Sequence, residues 1–302
     1  MIDAAIADVT DTALWVAACR AAESERVDAA FHDPLASVLA GERGRKIARS
    51  FPRSASVAWG VAVRTSAIDR LIGEAVQAGI DTVLNLGAGL DTRPYRMNLP
   101  ARLRWIELDF PSIVELKNTL LLRHKAICSV ARIGFDLSDR ASRDELFARY
   151  GATSKNTLLI AEGVIPYFPN DEVASLARAL SAIPSFRYWI LDFDNAGKRR
   201  MPRGWAGKLQ AAPFLFSVDN WFEFFKQTGW RPRKMITSAE ESERLNRPCP
   251  FPFPWGLIMR ALPEIRRKVL TVSGAVLLEK NATPPAGTST ERIVHLNAAR
   301  HA

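Results

Sequence analysis

The most informative stretch of this 302-residue chain is DTVLNLGAGLDTRPY, at residues 81–95. Residues 82–86 form a short apolar run rich in leucine and β-branched side chains, which is typical of a buried parallel strand. The run ends in the turn Gly87-Ala88-Gly89, where the missing Cβ atoms let the backbone approach a ligand closely. The pattern predicts the first strand and turn of a nucleoside-binding βαβ unit.

A second apolar run follows about twenty residues after the turn and ends in two carboxylates, Glu107 and Asp109. A carboxylate at this place suits a ribose, because it accepts two hydrogen bonds at once. The two side chains share one face of the strand at different heights, so only one of them reaches the site. The strand pattern alone leaves both as candidates for the ribose.

The turn distinguishes between two classes of nucleoside cofactor. A dinucleotide-binding turn has a third glycine where this chain has Thr92, and Asp91 places a negative charge near the position of a pyrophosphate. Pro94 also disfavours a regular helix that begins at the second glycine. The turn therefore disfavours NAD. It favours S-adenosyl-L-methionine, which carries a sulfonium and an ammonium group.

The periodicity of apolar residues predicts further helices and strands on both sides of this unit. It predicts a helix over residues 64–78 and another helix capped by Asn170. Further strands are predicted at residues 129–135, 156–161, 187–193 and 269–278. Because strands alternate with helices, we expect an α/β fold with a doubly wound, mostly parallel sheet. Ligands of such sheets gather at the carboxyl ends of the strands.

Several separated motifs follow one another in order: TALWVAA at residues 12–18, FHDPLA at 31–36, GAGLDTRPYR at 87–96, ELDFP at 107–111 and AEGVIPYF at 161–168. With them the chain resembles the leucine carboxyl methyltransferase family, whose bacterial branch includes O-methyltransferases of polyketide and other natural-product pathways. The resemblance is strong over residues 12–167 and weak beyond. It implies a Rossmann-like sheet of seven strands and S-adenosyl-L-methionine as the cofactor. It favours Asp109 over Glu107 at the ribose.

The resemblance also implies roles at the methionine half of the cofactor. The turn residues Gly87, Ala88 and Gly89 would line this half. Arg64 would grip the methionine carboxylate, for which the planar guanidinium fork is suited. Arg20, in the matched N-terminal region, is a second candidate contact.

Three further residues are candidates beyond the turn. Asp136 fits adenine recognition, since its carboxylate accepts from the exocyclic amine while Leu137 packs on the ring; a helix N-cap is the alternative. Glu162 would hold the ammonium group or shape the methyl-transfer site, and Tyr167 would face the substrate. The family commonly has a larger aliphatic residue and a leucine where this chain has Pro166 and Phe168, so we expect a pocket of different shape.

The chain holds only four histidines, His32, His124, His295 and His301. Methylation of a hydroxyl usually needs a general base, most often histidine, whereas a carboxylate is already anionic at neutral pH. The sequence therefore favours methyl transfer to a carboxylate of a hydrophobic small molecule, such as a natural-product intermediate. A polyketide-like hydroxyl and a protein or peptide C-terminal carboxylate stay as alternatives. No metal is expected, because no His, Asp or Glu cluster has ligand spacing.

The composition of the chain limits the classes of partner that we expect it to bind. The net charge of +9 allows an RNA partner, but the basic residues are dispersed, with clusters at residues 198–203, 231–234 and 266–268. We therefore expect solvated faces or a mouth for an anionic acceptor, and no nucleic acid. No run reaches the ~18 apolar residues of a membrane span. Three cysteines without motif spacing and an acidic N-terminus predict a cytoplasmic protein without a secretory signal.

The same patterns predict one methyltransferase domain over residues 1–280. Residues 1–63 would form a helical N-terminal lid, residues 195–260 an inserted cap, and residues 281–302 a flexible tail. The alternate prolines of residues 248–255 exclude a helix and a central strand there. The aromatic residues of the cap either pack on the core or form an apolar acceptor pocket. The oligomeric state is not predicted.

Overall fold

The computed structural model describes Ile6 and residues 8–50, 54–194 and 213–281. Seven strands form one sheet within these ranges. They are β1 (Thr82–Leu86), β2 (Arg104–Asp109), β3 (Ser129–Gly134), β4 (Thr157–Ala161), β5 (Phe186–Asp194), β6 (Trp230–Thr237) and β7 (Ser273–Lys280). The helices are α1 (Val9–Ser24), α2 (Ala36–Ser50), α3 (Ser54–Gln77), α4 (Arg93–Arg96), α5 (Pro111–Leu121), α6 (Arg140–Ala152), α7 (Asn170–Ala182), α8 (Trp221–Gln227), α9 (Ser238–Arg244), α10 (Trp255–Ala261) and α11 (Pro263–Thr271).

The sheet has the order β3-β2-β1-β4-β5-β7-β6. Strands β1 to β5 are parallel, and β7 pairs antiparallel with both β5 and β6. Every residue of β1 and β4 is buried, as expected for central strands covered by helices on both faces. The strand order reverses between β1 and β4, which is where ligands bind in open α/β sheets. The predicted α/β, mostly parallel, seven-stranded fold is confirmed.

The third to fifth strands lie within one residue of their predicted bounds, but the C-terminal part of the sheet differs from the prediction. The last strand begins at Ser273 instead of residue 269, because residues 263–271 form α11 with Pro263 in its first turn. Strand β6 was not predicted at all. Pro232 and the basic residues around it interrupt its apolar pattern, which an edge strand tolerates because one side of it faces solvent.

Helix α3 joins the N-terminal helices to the sheet. It begins at Ser54, ten residues before the predicted start at Arg64, so Arg64 lies inside the helix. Val61 packs with residues of α1 and α2, whereas Ile68 and Leu71 pack on the sheet. The predicted boundary at residue 63 therefore falls within one continuous helix. The helices of the N-terminal region are confirmed, and their role as a lid stays a prediction.

Aromatic packing fills the opposite face of the sheet. The rings of Trp189 and Trp230 meet edge to face with centroids 5.4 Å apart, and Trp189 meets Phe225 of α8 at 5.5 Å. The Trp230 indole N–H donates to the carbonyl of Ala177 at 2.9 Å. Core packing therefore accounts for these residues of the predicted cap, while Phe214 stays half exposed.

Asn170 does not cap α7 as predicted. The N-cap position belongs to Pro169, and the Asn170 side chain donates to the carbonyl of Ser217 at 2.8 Å and accepts from its N–H at 2.9 Å. These two bonds attach the segment before α8 to the start of α7. As predicted, the proline-rich run contains no helix or strand until α10 begins at Trp255.

Other expectations concern the chemistry of the chain. Cys19, Cys128 and Cys249 are free, and burial raises their pKa values to about 11, about 11 and about 12, which keeps the thiols protonated and unreactive. Among the residues described, no helix is long and apolar enough to cross a membrane. The predictions for residues 195–212 of the cap, for the tail after Asn281 and for the basic cluster at 198–203 lie outside the described residues, as do His295 and His301.

Replacing Trp230 by alanine should lower the free energy of unfolding by about 3–5 kcal/mol, because it removes a fully buried aromatic ring. Urea titration followed by circular dichroism measures the change. Trp255→Ala is the matched control, since Trp255 is 53% exposed and its loss should change the value by less than about 0.5 kcal/mol. Equal stability of the two variants would contradict this description of the core.

Candidate functional site

The glycine turn after β1 has two glycines with different constraints. Gly87 (φ +62°) and Gly89 (φ +48°) both adopt the left-handed conformation. A Cβ atom on Gly87 would lie 2.5 Å from a methyl carbon of Val164, so protein packing alone requires glycine there. Among the described residues, a Cβ on Gly89 would meet nothing closer than the Cβ of Ala13 at 3.7 Å. This part of the chain therefore leaves space beside Gly89 where a ligand can approach the backbone.

Asp109 and Glu107 have different surroundings. At the end of β2, the Asp109 carboxylate accepts from the Gly89 N–H at 2.6 Å and from the Phe110 N–H at 2.8 Å. Burial raises the pKa of Asp109 above its usual value, although both N–H groups counteract this effect. Glu107 is almost fully buried and is paired with Lys117 at 2.8 Å and Arg132 at 2.9 Å. Glu107 is thus enclosed by cations, whereas Asp109 lies directly at the turn.

Glu162, at the end of β4, is held by two arginines. Its Oε1 accepts from Nε of Arg64 at 2.9 Å, and its Oε2 lies 2.8 Å from Nη2 of Arg93. Burial raises the pKa of Glu162, but attraction to Arg93 and Arg64 outweighs it and brings the pKa below its usual value. Glu162 is therefore anionic at neutral pH.

Arg64 has a second anionic partner at the end of β5. Its Nη1 lies 3.2 Å from Oδ2 of Asp192, whose Oδ1 accepts from the Gly163 N–H at 2.8 Å. Within the ranges that the structure describes, Nη2 of Arg64 has no hydrogen-bond partner, and the side chain is 26% exposed. The structure places Arg64 and Glu162 in contact and leaves the Nη2 amino group of Arg64 open to a ligand among the described residues, while the predicted cofactor roles of both residues stay predictions.

Arg93 is a central site residue that the sequence analysis missed. Its guanidinium is 4% exposed and lies 2.6 Å from Asp69 of α3, 2.9 Å from Asp91 and 2.8 Å from Glu162. One charge thus compensates carboxylates from α3, the turn and β4. Its partners lie far away in sequence except Asp91, two residues before it, and this adjacent opposite charge was the only local signal.

Asp91 does not face the ligand as a free negative charge, which corrects the prediction. Its carboxylate accepts from Asn85 at 2.9 Å and from the backbone and side chain of Arg93. Burial acts to raise the pKa of Asp91, but Arg93 holds it well below its usual value. The absent third glycine remains an argument against a dinucleotide turn, whereas the charge of Asp91 is not.

Arg20 holds the glycine turn in place through hydrogen bonds. Its Nε donates to Oδ2 of Asp33 at 2.9 Å, and its Nη2 donates to the carbonyl of Leu90 at 2.6 Å. Thr92 donates to the same Asp33 oxygen at 2.6 Å. These bonds fix the position of the turn through Arg20, and a contact of Arg20 with the ligand stays a prediction. His32 is exposed beside Asp33 and takes no part in the cluster.

Asp136 and Leu137 follow β3, next to the end of β2. The Phe135 N–H donates to the carbonyl of Asp109 at 2.7 Å, which places the two strand ends side by side. Asp136 is exposed; its carboxylate accepts from the N–H and hydroxyl of Ser138, and its carbonyl accepts from the N–H of Asp139, which itself caps α6. The N-cap alternative for Asp136 is therefore wrong. Leu137 is buried among the core residues on this side of the sheet.

Tyr167 ends a 3₁₀ turn after β4. Its ring meets Phe214 edge to face with centroids 5.4 Å apart, and burial raises the pKa of its hydroxyl above the usual value. The carbonyl of Pro166 accepts from the N–H groups of Leu215 and Phe216 at 2.7 and 3.2 Å. Pro166 therefore joins the segment before α8 to this edge of the sheet. No cluster of possible metal ligands occurs among the described residues.

These features define a Rossmann-like protein with a nucleoside-binding edge, and sequence comparison gives its family. The profile of the leucine carboxyl methyltransferase family matches residues 13–181, more than half of the chain. The chain belongs to this family, which confirms the resemblance. S-adenosyl-L-methionine is thereby supported as the family's cofactor.

Curated relatives agree with this assignment. A Streptomyces coelicolor protein, provisionally named an S-adenosyl-L-methionine-dependent methyltransferase, is 36% identical over 176 residues, which are 55% of this chain and 62% of the relative. A Mycobacterium avium protein with the same provisional name is 35% identical over 268 residues, 79% of this chain and 84% of the relative. The matched part covers less than two thirds of several such relatives.

Among solved structures, a DUF574 family protein from Streptomyces avermitilis superposes with a TM-score of 0.56 and 17% identity. The match covers 88% of this chain and 97% of that protein. At this identity, the likeness supports the fold.

Arg93→Ala should lower the free energy of unfolding by about 3–5 kcal/mol, because it leaves the buried carboxylate of Asp91 without its paired cation, whereas Asp69 keeps Arg96 and Glu162 keeps Arg64. The pKa values of Asp91 and Glu162 are lowered in the fold, so wild-type stability should be complete above about pH 5 and fall on acidification. In Arg93→Ala, the loss of stability on acidification should be smaller than in the wild type. Chemical denaturation at several pH values measures both effects.

The control for this prediction is Arg140→Ala, which breaks a surface pair with Glu172. It should cost no more than about 1 kcal/mol, since exposed pairs contribute little. An Arg93→Ala protein as stable as this control, with an unchanged pH dependence, would show that the buried cluster does not stabilise the turn.

Proposed function

We propose that this protein is an S-adenosyl-L-methionine-dependent O-methyltransferase that acts on a carboxylate of a hydrophobic small molecule, such as a natural-product intermediate. The observation that carries the cofactor part is the 2.6 Å hydrogen bond from Gly89 to Asp109, beside backbone that the protein leaves uncovered. It joins the glycine turn and the acidic strand end, the two motifs from which the nucleoside site was predicted. The family match over residues 13–181 supports the same assignment.

Each end of the cofactor has candidate partners along the carboxyl edge of the sheet. Asp109 would accept hydrogen bonds from the ribose hydroxyls, and Asp136 with Leu137 would hold the adenine. Gly87, Ala88 and Gly89 would line the methionine half. The anionic Glu162 is suited to the ammonium group and the open Nη2 of Arg64 to the carboxylate of the amino acid. When bound, S-adenosyl-L-methionine supplies an electrophilic methyl group on sulfur.

A carboxylate acceptor agrees with the lack of a suitable base among the residues that the structure describes. The two described histidines, His32 and His124, are exposed and outside the cluster, and Tyr167 is held in its protonated form. A carboxylate oxygen needs no deprotonation, so the protein has only to align it with the methyl group and exclude water. Tyr167 and Phe214 offer an aromatic wall for this purpose. Glu162 then acts by placing the donor, since its charge is balanced by two arginines.

A nucleic-acid partner has little support from the basic residues of β6. Arg231 and Arg233 pair with Glu279 at 2.9 and 2.8 Å, and Lys234 pairs with Glu74 at 2.6 Å. Each basic side chain of this cluster thus has a carboxylate partner, with Glu279 shared by two arginines. A small-molecule acceptor, the absence of a nucleic-acid partner and a cytoplasmic location stay predictions.

Asp109→Ala should weaken S-adenosyl-L-methionine binding by roughly tenfold or more, because hydrogen bonds to a charged group are lost. Isothermal titration calorimetry with the full chain measures this. Glu145→Ala, an exposed carboxylate on α6, is the matched control and should bind like wild type. An unchanged affinity of Asp109→Ala for S-adenosyl-L-methionine would show that another residue binds the ribose. Binding of NAD in place of S-adenosyl-L-methionine would refute the cofactor assignment.

The acceptor class is tested with methyl-labelled S-adenosyl-L-methionine and matched hydrophobic acids, alcohols and phenols. The proposal predicts a methyl ester, so mild base should release the label as methanol. Label that withstands base would identify an ether and contradict the carboxylate assignment. Labelled peptide termini, without labelled small acids, would support the protein-directed alternative.

A further inference from the structure

The segment from Phe253 to Ile265 exposes an unusual number of large apolar side chains. Phe253 is 83% exposed, Leu257 61% and Trp255 53%. The exposed apolar side chains of this segment, which we name the apolar ridge, are Phe253, Trp255, Leu257, Ile258, Leu262 and Ile265. Such a contiguous set on a surface marks an interaction site.

The ridge lies on helices that are attached to the protein by another face. Met259 of α10 and Leu270 of α11 are buried, whereas Leu262 between the two helices and Ile265 of α11 are exposed. Packing against the protein explains the apolar residues on the buried face of these helices but not those on the exposed face. The exposed side chains are therefore available to a partner.

Basic side chains flank the ridge. Arg260, Arg267 and Lys268 are exposed, Arg266 is partly exposed, and Glu264 is the one acidic residue of α10 and α11. Among the described residues, these four cations have no ion pair, in contrast to the paired basic residues of β6. The ridge therefore combines apolar area with uncompensated positive charge, which calls for an anionic and apolar partner.

The segment that precedes the ridge contacts the helix that carries Arg64. Ser56 donates to the carbonyl of Pro250 at 2.7 Å, and Trp59 donates to that of Arg247 at 2.9 Å. Both donors lie on α3. Arg64 lies about 12 Å further along the axis of this helix than Ser56. The chain leading to the ridge is thus attached to the helix that enters the site.

We propose that the apolar ridge docks the protein on an anionic lipid surface. Apolar side chains would enter the boundary between headgroups and acyl chains, with Trp255 at the interface, while the flanking cations contact lipid phosphates. A nucleic acid would use the cations but leave the apolar side chains without a partner. The inference does not depend on methyl transfer, although such docking would bring a lipophilic acceptor to the mouth of the site.

Co-sedimentation of the full chain with phosphatidylcholine vesicles, with and without phosphatidylglycerol, tests the proposal. We expect binding to the anionic vesicles that weakens with salt and is slight on neutral ones. Combined Arg266→Gln, Arg267→Gln and Lys268→Gln should weaken binding roughly a hundredfold, since each basic residue near the surface contributes about a factor of five. Combined Leu257→Ser and Ile265→Ser should weaken it by roughly tenfold or more.

The charge control is Arg102→Gln, Arg123→Gln and Lys125→Gln, which removes three exposed cations elsewhere. It should bind within about threefold of wild type, because distant charges are screened. Absence of binding to anionic vesicles at low salt would overturn the proposal, as would an equal loss in the control or no loss in Leu257→Ser with Ile265→Ser. Vesicle binding would also be absent if the chain dimerised through the ridge, which sedimentation equilibrium would show, or if residues 195–212 covered the ridge. Either result would overturn the proposal.

Discussion

The proposed cofactor site depends on one buried cation, the guanidinium of Arg93. It lies between carboxylates of three elements that are far apart in sequence, Asp69 of α3, Asp91 of the turn and Glu162 of β4. Each carboxylate would be costly to bury without a cation, and Arg93 contacts all three, together with Arg96 at Asp69 and Arg64 at Glu162. The geometry of the turn and the position of Glu162 are thereby fixed together.

The same charge balance agrees with the proposed binding of a zwitterionic ligand at this edge of the sheet. Glu162 stays anionic because arginines compensate its burial, and among the described residues Nη2 of Arg64 has no hydrogen-bond partner. The aromatic pair Tyr167 and Phe214 offers no base at neutral pH. These features are consistent with the proposed methyl transfer to a carboxylate, which needs no base.

The sequence predicted those features that depend on local pattern. Strands β1 and β4 were found because most of their residues are apolar, and Asp109 was selected because it ends an apolar strand, although its role at the ribose stays a prediction. Features set by distant contacts were missed. Arg93 gave no sign that it would meet Glu162, and β6 was hidden because an edge strand needs no continuous apolar run. The start of α3 was placed too late, because its first turns are only partly buried and show no apolar stripe.

The crystal structure of the complex with S-adenosylhomocysteine would test the central claim most directly. The account predicts ribose hydroxyls within hydrogen-bond distance of Asp109, adenine beside Asp136 and Leu137, and the amino-acid end between Arg64 and Glu162. Ligand density at another edge of the sheet, or a ribose held by Glu107 with Asp109 turned away, would contradict it.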